Sequence, residues 1–414
     1  MSISQRRLLI LMAVYLFISP LFLSAAPTAK GEDIKISLMI IGPGHPLYVW
    51  WGHIGLVIEN TRKKTSYFYD FGNFSFEEEN FYRNFAMGRL YYLKIRSKTE
   101  PYLRYLKFFD RWVHTYELNL TNDEKERVYQ ILEEGIKREN RTYLYHHYED
   151  NCSTRVRDVL DEAMGGEIRE NTPEYALSFR DQANRFIRPF WPYMLLNFLQ
   201  GSTIDRPISY WDALFLPNEL ELFVQNHTRP NGEAFVKEFK ENQDGIRPFI
   251  PEEPFPRMGA AFLWGMILFF ITLILRTEKR PALWALWRFL TVIAVAVPGL
   301  FLCFMMFFTD HHVTLANLNA LIACPVLLGA LRPSFAYGKS LEAAGRYERF
   351  WDIQLGLIIL ALLGQNLPGI NQDNGAIVAL FLPLALAQGT VGAQLVRYLK
   401  TPPVRTYPWA RKLL

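Results

Sequence analysis

The sequence predicts an α+β exported domain followed by an α-helical bundle of about five transmembrane helices. Three observations lead there. Charged residues run through the chain to about Arg257, where short β-branched runs alternate with amphipathic stretches. Apolar residues, 50% of the 414, crowd into long runs after that point. The chain also opens with a basic pair, Arg6 and Arg7, an apolar stretch from Leu8 to about Phe22, and small residues Ser24, Ala25 and Ala26, the layout of an export signal. Pro27 disfavours cleavage just before it, so residues 1–29 read as either a signal peptide or a retained N-terminal anchor.

Residues 30–250 form the exported domain. Ile34 to Ile41 and Ile54 to Ile58 are β-branched, apolar runs and read as buried strands. Tyr67 to Gly72 is a third strand, reached through the polar turn Asn60 to Thr65, and Leu90 to Ile95 and Val113 to Leu118 are further strands. Thr121-Asn122-Asp123-Glu124 has capping-box spacing and starts a helix to about Glu139, with Val128, Ile131, Leu132 and Ile136 inward. Tyr143 to Tyr148 is aromatic and extended. Asn151 then suits an N-cap, Val156, Val159, Leu160 and Ala163 recur at helical spacing, and Gly165-Gly166 stops the helix. Phe179 to Gly201 mixes aromatics with Arg180, Arg185 and Arg188; it reads either as a helix lying on a bilayer surface or as one buried in the domain core.

A proline-rich linker (Pro248, Pro251, Pro254, Pro256) leads to residues 258–414, whose candidate spans are 258–275, 284–308, 313–333, 351–368 and 375–396. Arg276, Lys279 and Arg280 fall in one loop; Arg332, Lys339, Arg346 and Arg349 fall in another. Arg397, Lys400, Arg405, Arg411 and Lys412 form the tail. Counting spans puts all three groups opposite the exported domain, and so in the cytoplasm. The loops at 309–312 and 368–374 lack Lys and Arg and face the exported domain's side.

A net charge of +4, with no basic patch interleaved with aromatics, argues against nucleic acid as a partner. Cys303 and Cys324 lie in apolar runs, and no CxxC or Cys/His cluster suggests a metal. Cys152 differs. It follows Asp150 and Asn151 and precedes Ser153, Thr154 and Arg155, so it sits in a polar first turn where free N–H groups and the helix dipole favour a thiolate. His53 heads the second strand between Gly52 and Gly55, which leave room for another backbone or a substrate. Thiol and imidazole together make a nucleophile and its base. His45, in a turn, and His146 and His147, near Cys152 in sequence, are lesser candidates. Asn151, beside the Cys152 N–H, suits an oxyanion-hole or orienting role. Asp310, His311 and His312 sit at the outer mouth of two spans, with Asn317 and Asn319 inside the third. Polar groups there, with Arg155, suit a substrate or lipid headgroup; the alternative for the membrane set is a loop plus helix–helix hydrogen bonds.

The order of the two motifs, histidine strand first and cysteine helix later, resembles the lecithin:retinol acyltransferase-like branch of the NlpC-type papain fold, a permuted papain-like arrangement. More closely, Gly52-His53, Leu118-Asn119-Leu120-Thr121, Glu139-Asn140-Arg141, Asp150 to Asp158, Gly201, Asp205, Phe215-Leu216-Pro217, and the His312, Asn317, Asn319 pattern resemble the Lnb-type lipoprotein N-acyltransferases. The resemblance implies Cys152 as nucleophile and His53 as base. Permuted papain-like sites often take their third residue from the strand after the histidine strand, which implies Asp70, with Asn73 next. It further implies an inner-membrane enzyme with a periplasmic catalytic domain, a phospholipid acyl donor, a diacylglyceryl lipoprotein acceptor and no cofactor. A periplasmic cysteine peptidase or amidase acting on peptidoglycan peptides, and a non-enzymatic membrane scaffold, are the rival readings.

Overall fold

The structure, a computed structural model, describes residues 30–400 apart from positions 78, 174, 176, 278, 279, 366 and 368. The export signal over 1–29, Lys279, Pro368 and the tail residues Arg405, Arg411 and Lys412 lie outside the described residues.

The exported domain is built on a seven-stranded sheet, antiparallel throughout, in the order β6-β4-β3-β2-β1-β5-β7. Its elements run β1 (Ile34–Ile41), β2 (His53–Asn60), β3 (Thr65–Asn73), α1 (Phe81–Ala86), β4 (Tyr91–Lys98), α2 (Thr99–Phe108), β5 (Val113–Leu118), α3 (Asn122–Gly135), β6 (Thr142–Leu144), α4 (Cys152–Ala163), α5 (Phe179–Asn184), α6 (Phe190–Leu199), α7 (Pro217–Asn226) and β7 (Val236–Gln243). β1 is apolar almost end to end because both sheet faces are covered. Ile36, Leu38, Ile40, Leu56 and Ile58 pack with Val128 of α3 and Val156 and Leu160 of α4, while Met39, Ile41, Val57 and Phe68 pack with Leu106 of α2. Thr121 and Glu124 close the capping box that starts α3. The strand β7 falls in a charged run, Lys237 to Glu241, that carries no apolar alternation; pairing with the exposed edge of β5 makes it a strand.

The membrane part begins with two long apolar helices, α8 (Met258–Thr277) and α9 (Pro281–Phe308). A third stretch, Asn319–Ala336, is long and apolar enough to cross, but is divided among a short helix, a 3-10 segment at Pro325–Ala330 and a final helix. The helix α10 (Leu341–Gly364) carries Glu348, Arg349 and Asp352 in its first half, and α11 (Gly375–Gln388) and α12 (Thr390–Lys400) meet at a 56° bend. Among the described residues three helices are long and apolar enough to cross, or four if the bent pair counts as one span.

Most of Phe179 to Gly201 is buried, with Arg188, Trp191 and Leu195 exposed. Arg180 is fully buried and pairs with Asp205 at 2.6 Å, and Arg185 pairs with Glu219 at 2.7 Å, so neither guanidinium faces lipid phosphate. Tyr193, Met194 and Phe198 of α6 share one core with α9, α10 and α11, which joins the two halves of the chain.

Candidate active site

β2 starts at His53 because Gly52 takes φ +79°, a left-handed turn in which a Cβ would sit 3.0 Å from the Ile41 carbonyl. The register Gly55↔Asp70 brings β3 alongside, and His53 Nε2 lies 2.9 Å from Asp70 Oδ1. The Gly72 N–H donates to the same oxygen at 2.7 Å. A bulge between β3 and β4 at Asp70–Asn73 separates the two candidates for the third residue; the carboxylate of Asp70 holds the imidazole. With Nε2 engaged, Nδ1 is the ring nitrogen left for the thiol.

The cysteine arrives from the other side. Asn151 caps α4 by accepting from the Ser153 and Thr154 N–H groups at its side-chain oxygen, while its own backbone N–H donates to Thr154 Oγ1. Its side-chain Nδ2 donates to the carbonyls of His147 and Phe215, and Ser153 Oγ donates to the Leu214 carbonyl. This pins the first turn of α4 to the segment Leu214–Pro217, whose Pro217 also packs near Gly52. Asn151 thus orients the helix, the second of the two roles expected for it, with both ends of its amide committed to backbone. The Cys152 N–H, at the first helical position, is one of the donors a helix leaves without an internal partner.

His53 and Cys152 interact. Burial disfavours the charged imidazole, but the charges of Asp70 and Cys152 and hydrogen bonds to both outweigh it and raise the His53 pKa to about 10. Burial pushes Asp70 up, but the imidazole and the Gly72 N–H win and hold it below the ordinary carboxylate range.

Cys152, 8% exposed, opens into a cavity of about 480 Å3. Aromatic and aliphatic side chains dominate its walls, among them Tyr48, Trp51, Phe74, Phe81, Tyr92 and Phe215. Ile187 and Leu196 close the side toward the membrane helices. His147 also lines it. Burial, with His146 and His311 nearby, lowers the His147 pKa to about 4, so it is neutral at working pH. Sequence reasoning gave this residue little weight because an extended segment does not reveal which way its rings point. Gly72 was missed outright, although a small residue two places after a candidate carboxylate was a usable signal.

The remaining expected site residues go elsewhere. Arg155 is clamped to Asp150 through two hydrogen bonds, stacks over Tyr143 and lines a separate pocket beside Lys94 and Asp158. Asp310 pairs with Arg89 at 2.7 Å, and His311 Nδ1 lies 2.8 Å from Thr309 Oγ1. His312 opens a 3-10 turn, His312–Thr314, near His146. Asn317 donates to the carbonyls of Phe198 and Leu199, and Asn319 to those of Asn197 and Phe198. These two buried amides clasp α6 to the membrane part, the hydrogen-bonding alternative expected for them, and neither is among the residues that line the cavity. The charge of Arg155 is paired with Asp150. His45 sits exposed in its turn.

Fold and site together define a membrane protein whose α+β domain holds a cysteine at a helix start against a strand-borne histidine and its carboxylate partner. The chain belongs to the Lnb family: residues 24–181 match the Lnb N-terminal periplasmic domain and residues 252–389 match the Lnb transmembrane domain. The Cys152 domain is accordingly periplasmic, and the helices that follow hold the protein in the membrane. No curated protein matches the chain, and no solved structure does.

Proposed function

We propose that this protein is a lipoprotein N-acyltransferase that works through a thioester on Cys152. The observation that carries the reading is that one cavity, apolar and aromatic, holds the Cys152 thiol at its wall and borders the membrane helices, with the His53–Asp70 pair behind the thiol. Peptidoglycan peptides are polar and would gain little from such walls, which argues against the peptidase alternative. A scaffold would have no use for a buried, charge-paired histidine at the thiol.

In the first step the Cys152 thiolate attacks an ester carbonyl of a phospholipid. A C–S bond forms, the ester C–O bond breaks, and the departing lysophospholipid oxygen takes its proton from the His53 imidazolium. In the second step the neutral α-amine of a diacylglyceryl-cysteine attacks the thioester. The C–N bond forms, the C–S bond breaks, the thiolate is regenerated, and His53 takes the proton the nitrogen loses. Asp70 stabilises the imidazolium and fixes the ring. The backbone N–H of Cys152 suits the oxyanion of both tetrahedral intermediates. Residues alone supply these roles, and the reading names no cofactor.

The test is mass spectrometry of a lipoprotein N-terminal peptide from cells that lack their own N-acyltransferase and express this protein or Cys152→Ala. An amide-linked acyl chain that depends on Cys152 is expected. An unmodified N-terminus in cells with folded, membrane-inserted protein would overturn the reading and turn attention to cell-wall peptides.

A further inference from the structure

The cavity wall on one side is also an outer surface. Residues 74–92 connect β3 to β4 and include α1. Phe74, Phe81 and Tyr92 face the cavity, while Phe76 and Phe85 line it and remain half-exposed. The free face of α1 adds Tyr82, 73% exposed, next to Arg83. Tyr48, also cavity-lining and exposed, packs edge-on against Phe74. A polar-only face is what a periplasmic loop in water needs; an aromatic face with interspersed arginine is what the bilayer–water boundary selects.

The height of this segment is fixed by the membrane helix beside it. α9 ends in Phe307 and Phe308, 72% and 68% exposed and so turned toward lipid. Two residues later the Asp310 N–H donates to the Met87 carbonyl at 2.8 Å, Arg89 pairs with Asp310, and a Cβ on Gly88 would sit 2.6 Å from the Asp310 carbonyl carbon. Three contacts therefore tie the end of α1 to the outer end of a spanning helix.

We propose that α1 and its flanks rest in the periplasmic leaflet of the bilayer and form the side entrance by which a phospholipid acyl chain reaches Cys152. This rests on the acyltransferase reading of the site. The occupant is the leaflet itself: the exposed aromatics continue the lipid-facing surface of α9, and their other faces form the wall of the cavity into which the thiol opens. Arg83 stands on the exposed side of α1, where a lipid phosphate would lie.

The experiment uses the full chain in phosphatidylethanolamine nanodiscs and a variant carrying Tyr82→Asp with Ala86→Asp, two exposed positions one turn apart that do not line the cavity. Single-turnover release of lysophospholipid is followed from nanodisc lipid and from monomeric dihexanoyl phosphatidylethanolamine. The variant is expected to lose roughly tenfold or more of the nanodisc rate, as removal of interfacial contacts predicts, with the dihexanoyl rate kept within about twofold. In parallel, a photo-crosslinking phenylalanine analogue replacing Tyr82 is expected to attach to nanodisc lipid. No crosslink, or a variant whose nanodisc rate stays within about twofold of the unmodified protein's, overturns the entrance. Equal loss with both donors also overturns it, since α1 would then act on the chemistry. Silence of the unmodified protein toward both donors overturns the catalytic reading itself, and crosslinking reads the leaflet contact independently of turnover.

Discussion

Gly72 lies flush against His53: a Cβ at residue 72 would come within 2.5 Å of the imidazole Cε1 and 3.2 Å of its Nδ1. The ring that faces Cys152 is thus walled in by a backbone that has no side chain at the point of contact. Its orientation follows from that clearance as well as from the Asp70 hydrogen bond.

Gly72→Ala should therefore displace the imidazole without unfolding the sheet, because residue 72 is at the end of β3. A shift of about 1 Å in a catalytic group costs on the order of 100-fold in rate. The expected outcome is a loss of that size in lysophospholipid release, with circular dichroism and detergent-extracted yield unchanged. A fully active Gly72→Ala protein would show that the ring tolerates the crowding.

Asp70→Asn should change the pH profile of acyl-enzyme formation. His53 must carry its proton to release the lysophospholipid, so the rate falls as pH rises through the His53 pKa, about 10 in the native site. Removing the Asp70 charge removes the largest influence that raises it, so the alkaline limb should move down toward neutrality. The raised His53 pKa contributes stability that is full below its ordinary 6.5 and is lost as pH rises through about 10. The lowered Asp70 pKa contributes stability that is present above its ordinary 3.8 and is lost as pH falls through its native value. The destabilisation by Asp70→Asn should thus be greatest between about pH 4 and 6.5, measurable by thermal melts across that range. An alkaline limb that stays in place would remove Asp70 from the role proposed for it.

Asp205→Ala should be among the most damaging changes outside the His53, Asp70 and Cys152 set. It leaves Arg180, which is fully buried, without its carboxylate; Asn197 and the carbonyls of Gln200 and Gly201 are its other partners. Breaking a buried pair from one side costs about 3–5 kcal/mol. Thermal unfolding should register that loss, and Asp205→Ala combined with Arg180→Met should recover a good part of it. A double variant no more stable than the single one would contradict this account.

Gly201→Val should loosen the two halves of the chain. A Cβ there would lie 1.9 Å from the Leu315 carbonyl oxygen, at the point where the Gly201 N–H donates to Val313. The contact is backbone on both sides and has no flexible group to move. Faster protease cleavage in the proline-rich linker 248–256 is expected, with α3 and the sheet still protected. Unchanged cleavage would mean that the Asn317 and Asn319 clasp suffices alone.

The core of the site was legible because its signals are local. An N-cap directly before a helical stretch, and a glycine before a β-branched run, are each contained in a handful of residues. They brought Cys152 to a helix start and His53 to a strand head, as the structure has them. The membrane stretches were legible for the same reason, since apolar length is a property of one segment. Their breaks were less so. Pro325 and Gly389 were visible, but whether such residues bend a span or end it depends on what packs beside them: a Cβ on Gly389 would meet Asp352, 37 residues earlier in the chain and on another helix.

What the sequence alone determined was therefore the chemistry on offer: a thiol in a capped first turn, an imidazole on a buried strand, and a membrane half. Tertiary structure decided which polar groups are spent on each other. Arg155 goes to Asp150, Asn317 and Asn319 go to the carbonyls of α6, and Asp70 goes to His53. A buried donor or acceptor must find a partner, and that partner can come from any distance along the chain. Local pattern specifies where a side chain starts; only packing specifies what it meets.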